Sequence, residues 1–135
     1  MALDPSLLKK VSLFTGLEDK EAKKLASMFK EREFKAGEVM AEEGKHGVGF
    51  FVIESGSAKV TVHGDERTTL GPGSYFGEIA LIDDGPRTAT VTAESDVKAH
   101  VLVAWDFRAM VKEDPDLAWG LLRGVAQMLR AREGY

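Results

Sequence analysis

The sequence predicts a mainly β protein with flanking α-helices: a sandwich or jelly roll of short antiparallel strands, preceded by short helices and followed by a long one. Three observations carry that reading. Ten of the 14 glycines fall between Gly37 and Gly85, recurring every few residues between runs such as Val48 to Ile53, Ala58 to Val62 and Thr88 to Ala93. Short strands punctuated in this way are the signature of a sandwich or jelly roll. Outside that span the apolar period changes to that of a helix. At 135 residues, the chain suits one domain, which buries roughly two thirds of its unfolded surface without staples.

Taken in order, Asp4-Pro5 is an N-cap followed by proline at the first helical position, and Leu7, Leu8 and Val11 give a short amphipathic helix. A second helix is predicted over Leu17 to Phe29, where Leu17, Ala22, Leu25, Ala26 and Phe29 share a face opposite lysines and glutamates. Residues 1–30 are thus N-terminal helices and 31–103 the β-roll. Within the roll, Val60 and Val62 alternate with Lys59, Thr61 and His63. His63-Gly64-Asp65-Glu66 then makes a compact turn into a strand at Arg67 to Leu70. A last strand lies near Ala99 to Val103. Residues 104–135 return to helical periodicity, with Ala104 to Val111 and then a final helix capped by Asp114-Pro115 and running to about Arg132.

The final helix has Ala118, Leu121, Val125 and Met128 on one seam, with Leu122 and Leu129 broadening it. That arc is wide for a helix covering one surface, so it either packs wholly on the β-roll or meets a partner helix at its edge. Gly120 and Gly124, four apart, permit close approach of two backbones, although in a soluble helix such spacing is usually incidental.

Composition excludes several classes. With no cysteine, thiol redox chemistry, thiolate zinc sites and a disulfide framework are ruled out. A net charge of -4 argues against non-specific nucleic-acid binding, so any anion site must be local and pre-aimed. No run of eighteen apolar residues exists, and the N-terminus lacks the order of a signal peptide, which predicts no membrane span in this chain. His46, His63 and His100 are scattered, without a serine, histidine and acid constellation and without the closely spaced histidines of a metal-binding jelly roll. Neither catalysis nor a metal site is expected.

The densest chemistry lies at residues 76–89, Phe-Gly-Glu-Ile-Ala-Leu-Ile-Asp-Asp-Gly-Pro-Arg-Thr-Ala. Gly77 lets the backbone pass close to a ligand, and Glu78 to Leu81 suit a single helical turn whose N–H groups face an anion. The planar guanidinium of Arg87 matches two oxygens of a phosphodiester, at roughly 1.5–3 kcal/mol per charge-assisted bond once water is excluded. Glu78 repels a phosphate, so its use is to accept from a neutral donor such as a sugar hydroxyl. Phosphate and hydroxyl one sugar apart describe a nucleotide. Asp83-Asp84-Gly85 reads as a polar turn.

This stretch resembles the phosphate-binding cassette of cyclic nucleotide-binding domains, F-G-E-[LI]-A-L followed by P-R-[TAS]-A, with no internal departure. Gly-Ser-Ala-Lys-Val at 56–60 and Leu-Gly-Pro-Gly at 70–73 fit the family's strand and turn pattern, so the resemblance spans nearly the whole chain. It implies an antiparallel double-stranded β-helix, the jelly roll, with a C-terminal lid helix, and a regulatory receptor rather than an enzyme. It further implies that Arg87 grips the cyclic phosphate, that Glu78 binds the ribose 2′-hydroxyl and that backbone N–H groups of Ala80 and Thr88 complete the cradle. Phe76, Gly77, Ile79 and Ala89 belong to the same cassette, Phe76 with Tyr75 as its brace. Val62 and Thr68 occupy positions that contact the purine, with ordinary sheet packing as the competing role. Leu121, Leu122, Val125 and Met128 are the apolar groups available to cover the base.

The implied ligand is cAMP, with cGMP weaker but measurable, the Thr88 hydroxyl being placed to meet a guanine amino group; no other cofactor is implied. The implied partners are a second copy or an effector protein reached through the C-terminal helix. Members that act on DNA carry a helix-turn-helix after that helix, and this sequence stops at Tyr135, so no direct nucleic-acid binding is expected and a cytoplasmic location is. The alternative is a dimerisation or interaction module that keeps the fold without the ligand; the intact arginine and glutamate count against it.

Overall fold

The computed structural model describes residues 3–83 and 85–133. The chain divides into a β unit of residues 30–104 and a helical unit built from its two ends, residues 1–29 and 105–135.

Eight strands make up the β unit in two four-stranded sheets. One runs in the order β1 (Lys30–Phe34), β8 (Val97–Val103), β3 (Gly49–Ser55), β6 (Tyr75–Phe76), the other β2 (Val39–Ala41), β7 (Thr90–Ala93), β4 (Ala58–Val62), β5 (Asp65–Leu70). Every pairing is antiparallel. Orders 1-8-3-6 and 2-7-4-5 are those of a jelly roll, in which the antiparallel pairs β1·β8, β2·β7, β3·β6 and β4·β5 fall alternately in the two sheets.

Strand alternation sends Phe51, Ile53, Ala99 and Val101 of the first sheet into a core shared with Met40, Ala41, Ala58, Val91 and Ala93 of the second. Phe76 stacks on Phe51 with centroids 4.7 Å apart and planes 7° apart, pinning the short β6 to β3. Each such ring contributes on the order of 1.5–3 kcal/mol by leaving water. The opposite face of the first sheet is also buried, at Phe50, Val52, His100 and Leu102. Burial on both faces explains why β3 reads as a continuous apolar run rather than an alternating one. His63 and Gly64, with φ of 51° and 82°, form the two-residue link between β4 and β5. That tight mirror-image turn starts β5 at Asp65, two residues earlier than the sequence suggests.

β1, Lys-Glu-Arg-Glu-Phe, has only Phe34 buried, so its apolar pattern is too thin to predict a strand. Its backbone pairing with β8, from Lys30 opposite Val101 to Phe34 opposite Val97, makes it one.

In the helical unit, α1 (Pro5–Leu8) is capped by Asp4, whose Oδ1 accepts from Ser6 N at 3.0 Å. It ends four residues into the predicted helix, and a 3₁₀ turn at Ser12–Phe14 follows. Helix α2 covers Asp19–Ala26, shorter than Leu17 to Phe29, with its acidic residues in the first turn where the helix dipole favours them. Helix α4 (Pro115–Glu133) follows α3 (Ala104–Glu113) after the single residue Asp114. Asp114 Oδ1 accepts from Leu117 N at 3.2 Å and its Oδ2 pairs with Lys24 Nζ at 3.0 Å. The lysine hydrogen bond holds the Asp114 carboxyl below its ordinary range.

The buried face of α4 is Leu117, Gly120, Leu121 and Gly124, which shares only Leu121 with the predicted seam. Ala118, Val125 and Met128 are only half-buried, while Trp119 (63%), Leu122 (59%) and Leu129 (54%) are exposed. The two glycines account for the rotation. A Cβ on Gly120 would lie 2.9 Å from Leu17 Cδ2 and 3.2 Å from the Gly16 carbonyl oxygen, and one on Gly124 would overlap the Leu13 carbonyl. Gly16 meets α4 in return, its carbonyl accepting from Arg123 Nη2 at 3.1 Å. The glycine pair therefore serves a backbone crossing within this chain.

Candidate functional site

Local structure positions the cassette. Gly77 leaves β6 at φ 91°, a left-handed conformation that suits glycine. The predicted helical turn is a 3₁₀ turn at Ile79–Leu81 with Glu78 at its cap, closed by Leu81 N donating to the Glu78 carbonyl at 3.2 Å. Leu81 is fully buried and anchors the turn, leaving Ile79 49% exposed. Gly85 N donates to the Asp83 carbonyl at 2.8 Å, consistent with a polar turn; Asp84 lies outside the described residues.

The loop of residues 42–48, between β2 and β3, and Gly49 at the start of β3 hold the other side. Gly44 N donates to the Arg87 carbonyl at 2.8 Å and Arg87 N to the Lys45 carbonyl at 2.8 Å, so the Arg87 backbone is clamped in both directions. Glu43 N donates to Thr90 Oγ1 at 3.0 Å. The side chain of Arg87 turns into this loop, and its Nη2 donates to the Gly49 carbonyl oxygen. Its guanidinium rests between Gly47 and Gly77, where a Cβ on either glycine would overlap it. Loss of water there pulls the Arg87 pKa below the ordinary arginine value, and the Glu78 carboxylate partly opposes that shift. Among the described residues, Arg87 Nε is buried and has no hydrogen-bond partner.

A cavity of about 420 Å³ opens in front of the cassette. Phe76, Gly77, Glu78, Ile79, Ala80, Arg87, Thr88 and Ala89 all line it, together with Ala41, Asp83, Gly85 and Pro86. Its size falls in the range of small-molecule sites, and its wall combines apolar surface with one cation, Arg87, and two carboxylates, Glu78 and Asp83. Such an arrangement suits an anion joined to a polar, partly apolar body.

Other residues singled out from the sequence lie elsewhere. Val62 and Thr68, on β4 and β5, are not among the lining residues; Thr68 stands opposite Val60, which packs on the core. Leu121, Leu122, Val125 and Met128 are on α4 in the helical unit. Sequence reasoning missed the contribution of Gly44, Lys45, Gly47 and Gly49, which approach Arg87 across some forty residues of chain. The glycine spacing of that loop was its visible trace.

His100 is not an isolated histidine. Buried on β8, it hydrogen-bonds Glu54 Oε1 through Nε2 at 3.1 Å, and Glu31, Glu54 and His100 bring ligand-type atoms within 4.8 Å of one another. The Glu54 bond gives the buried Nε2 its partner.

Fold and cavity together define a jelly-roll domain with an arginine-lined cavity. The sequence profile of the cyclic nucleotide-binding domain matches residues 31–114. A cAMP-dependent protein kinase regulatory subunit from Yarrowia lipolytica is 40% identical over 97 residues, covering 70% of this chain and 26% of that protein. The cyclic AMP receptor protein of Thermus thermophilus is 32% identical over 128 residues, covering 91% of this chain and 59% of that protein. Among solved structures, the N-terminal domain of a transcriptional regulator from Streptomyces coelicolor superposes with a TM-score of 0.81 at 31% identity, covering 98% of this chain and 94% of that one. The chain belongs to the cyclic nucleotide-binding domain family. It spans about a quarter of the kinase subunit and little more than half of the receptor protein, and among the described residues no helix is long and apolar enough to cross a membrane.

Proposed function

We propose that this chain is a cyclic nucleotide receptor of the regulatory kind, with cAMP as its preferred ligand and cGMP as a weaker one. Arg87 carries the reading. It is a half-buried guanidinium at the wall of a cavity, held by a backbone carbonyl, with a buried N–H left unpaired, and an anionic ligand offsets that desolvation. In this reading Arg87 takes the exocyclic oxygens of the cyclic phosphate and backbone N–H groups of Ala80 and Thr88 take the remaining lone pairs. Glu78 accepts from the ribose 2′-hydroxyl, and Val62 and Thr68 approach the purine. Occupancy is signalled through the C-terminal helix, where Leu121, Leu122, Val125 and Met128 respond to the base. The protein acts in the cytoplasm and performs no chemistry on its ligand. The names of the kinase subunit and the receptor protein, both tied to cAMP, support the choice of nucleotide.

The exposed stripe Trp119, Leu122 and Leu129 on α4 favours a second role for the same helix, contact with a second copy or an effector. Calorimetric titration with cAMP, cGMP and 5′-AMP tests the ligand. Saturable 1:1 heat with cAMP, weaker with cGMP and much weaker with the open-chain monophosphate, is the expected result; no heat with either cyclic nucleotide leaves the interaction module as the function.

A further inference from the structure

Gly47 has no functional group and no left-handed backbone angle, yet the Arg87 guanidinium rests against it. Among the described residues six other glycines have positive φ, and Gly77 is one of them; Gly47 is not. Its need to be glycine is therefore steric alone. A Cβ built on Gly47 would overlap three guanidinium atoms, Nε, Nη2 and Cζ, whereas Gly71, also without positive φ, has nothing within 4 Å of such an atom. Gly77 closes the opposite side of the slot against Nη1.

We infer that Gly47 is a positioning residue for the anion site: its bare α-carbon is the back wall that fixes the plane and reach of the Arg87 fork. The inference rests on the nucleotide-binding reading and adds to it a residue that neither touches the cavity nor offers a polar group. The physical chain is short. A guanidinium recognises a phosphate through two parallel N–H bonds, so its orientation matters as much as its charge. Walls at Gly47 and Gly77, with the Gly49 carbonyl at one corner, set that orientation before a ligand arrives. Any side chain at position 47 drives the guanidinium off the Gly49 carbonyl and returns it to free rotamers, which binding must then restrict again. Because Gly77 blocks the other side, the fork has no equivalent seat to move to.

The test is a cycle of Gly47→Val, Arg87→Ala and the double variant, with Gly47→Ala as a milder probe and Gly71→Ala as a control that loses a glycine in open space. Titration with cAMP and thermal melting are measured on each. Wild type binds, Gly71→Ala binds as wild type, and Gly47→Val loses about tenfold or more in affinity, with Gly47→Ala between them. In melting, Gly47→Val lowers Tm in the wild-type background and lowers it by less than half as much when Arg87 is already alanine, because the clash partner has gone. A general structural role for Gly47 would lower Tm equally in both backgrounds. If Gly47→Val fails to fold, the same cycle is read on Gly47→Ala. Wild-type binding with Gly47→Val and Gly47→Ala both within twofold of it, or an equal Tm loss in both backgrounds, overturns the inference and leaves the nucleotide reading standing. Absence of wild-type binding to cAMP and cGMP overturns the nucleotide reading and this inference with it.

Discussion

Arg87→Ala separates what the arginine does for binding from what it does for folding. Among the described residues its side chain makes one charge-assisted bond, to the Gly49 carbonyl, and such a bond contributes about 1.5–3 kcal/mol. Against this stands the buried, unpaired Nε; an unsatisfied buried donor costs about 1–3 kcal/mol. The two largely offset each other, so the substitution changes folding stability by no more than about 2 kcal/mol, or roughly 6–10 °C in Tm for a domain of this size. Binding has no such compensation. The charge and the bidentate geometry toward the phosphate are lost together, giving about 2–4 kcal/mol and an affinity loss of roughly 30- to 1,000-fold. Thermal melting with and without cAMP reads both quantities in one experiment. Ligand at a hundredfold excess over its dissociation constant adds ~2.7 kcal/mol to wild type, and the variant at the same concentration shows almost no ligand-dependent shift. A variant that melts far below wild type without ligand, or that retains affinity within about threefold of wild type, refutes the reasoning.

Other expectations follow from the same geometry. Glu78→Gln weakens cAMP more than 2′-deoxy-cAMP in parallel titrations; equal losses reduce Glu78 to a structural role. Gly124→Leu drives a side chain into the Leu13 carbonyl and lowers stability by at least about 1–3 kcal/mol in urea denaturation, whereas an unchanged midpoint would mean that the backbone crossing is not tight. Asp114 has a folded-state pKa below its ordinary 3.8, so its contribution is present above pH 3.8 and disappears as pH falls through the lowered value. Asp114→Asn keeps a capping oxygen and removes the charge, so wild type and variant differ in stability at neutral pH and converge in acid; a gap that persists to low pH contradicts the assignment to Lys24. Hydrogen exchange over residues 116–132 slows when cAMP is added if α4 answers to the ligand, and unchanged exchange there makes the helix a fixed element.

How much of this was legible in the sequence depends on how local the cause was. The strand β4, the cap at Asp114-Pro115 and the helical turn after Glu78 are written in consecutive residues, and each takes the predicted form within a few positions. β1 was not legible, because four of its five residues are exposed and charged and its strand state is imposed by β8. The buried face of α4 was misjudged for a related reason. Hydrophobic periodicity counts side chains, and the crossing at Gly16, Gly120 and Gly124 is made by residues that have none. The same blindness hid Gly47: the arginine declares its chemistry in the sequence, but the seat that orients it is an absence of atoms forty residues upstream.

The central claim is that the cavity before residues 76–89 holds a cyclic nucleotide with its phosphate on Arg87 and its ribose on Glu78. A crystal structure of the complex with cAMP measures this directly. The account predicts exocyclic phosphate oxygens within about 3 Å of the Arg87 guanidinium and the ribose 2′-hydroxyl within about 3 Å of a Glu78 carboxylate oxygen. A nucleotide bound elsewhere, or bound in this cavity with its phosphate away from Arg87, would contradict it.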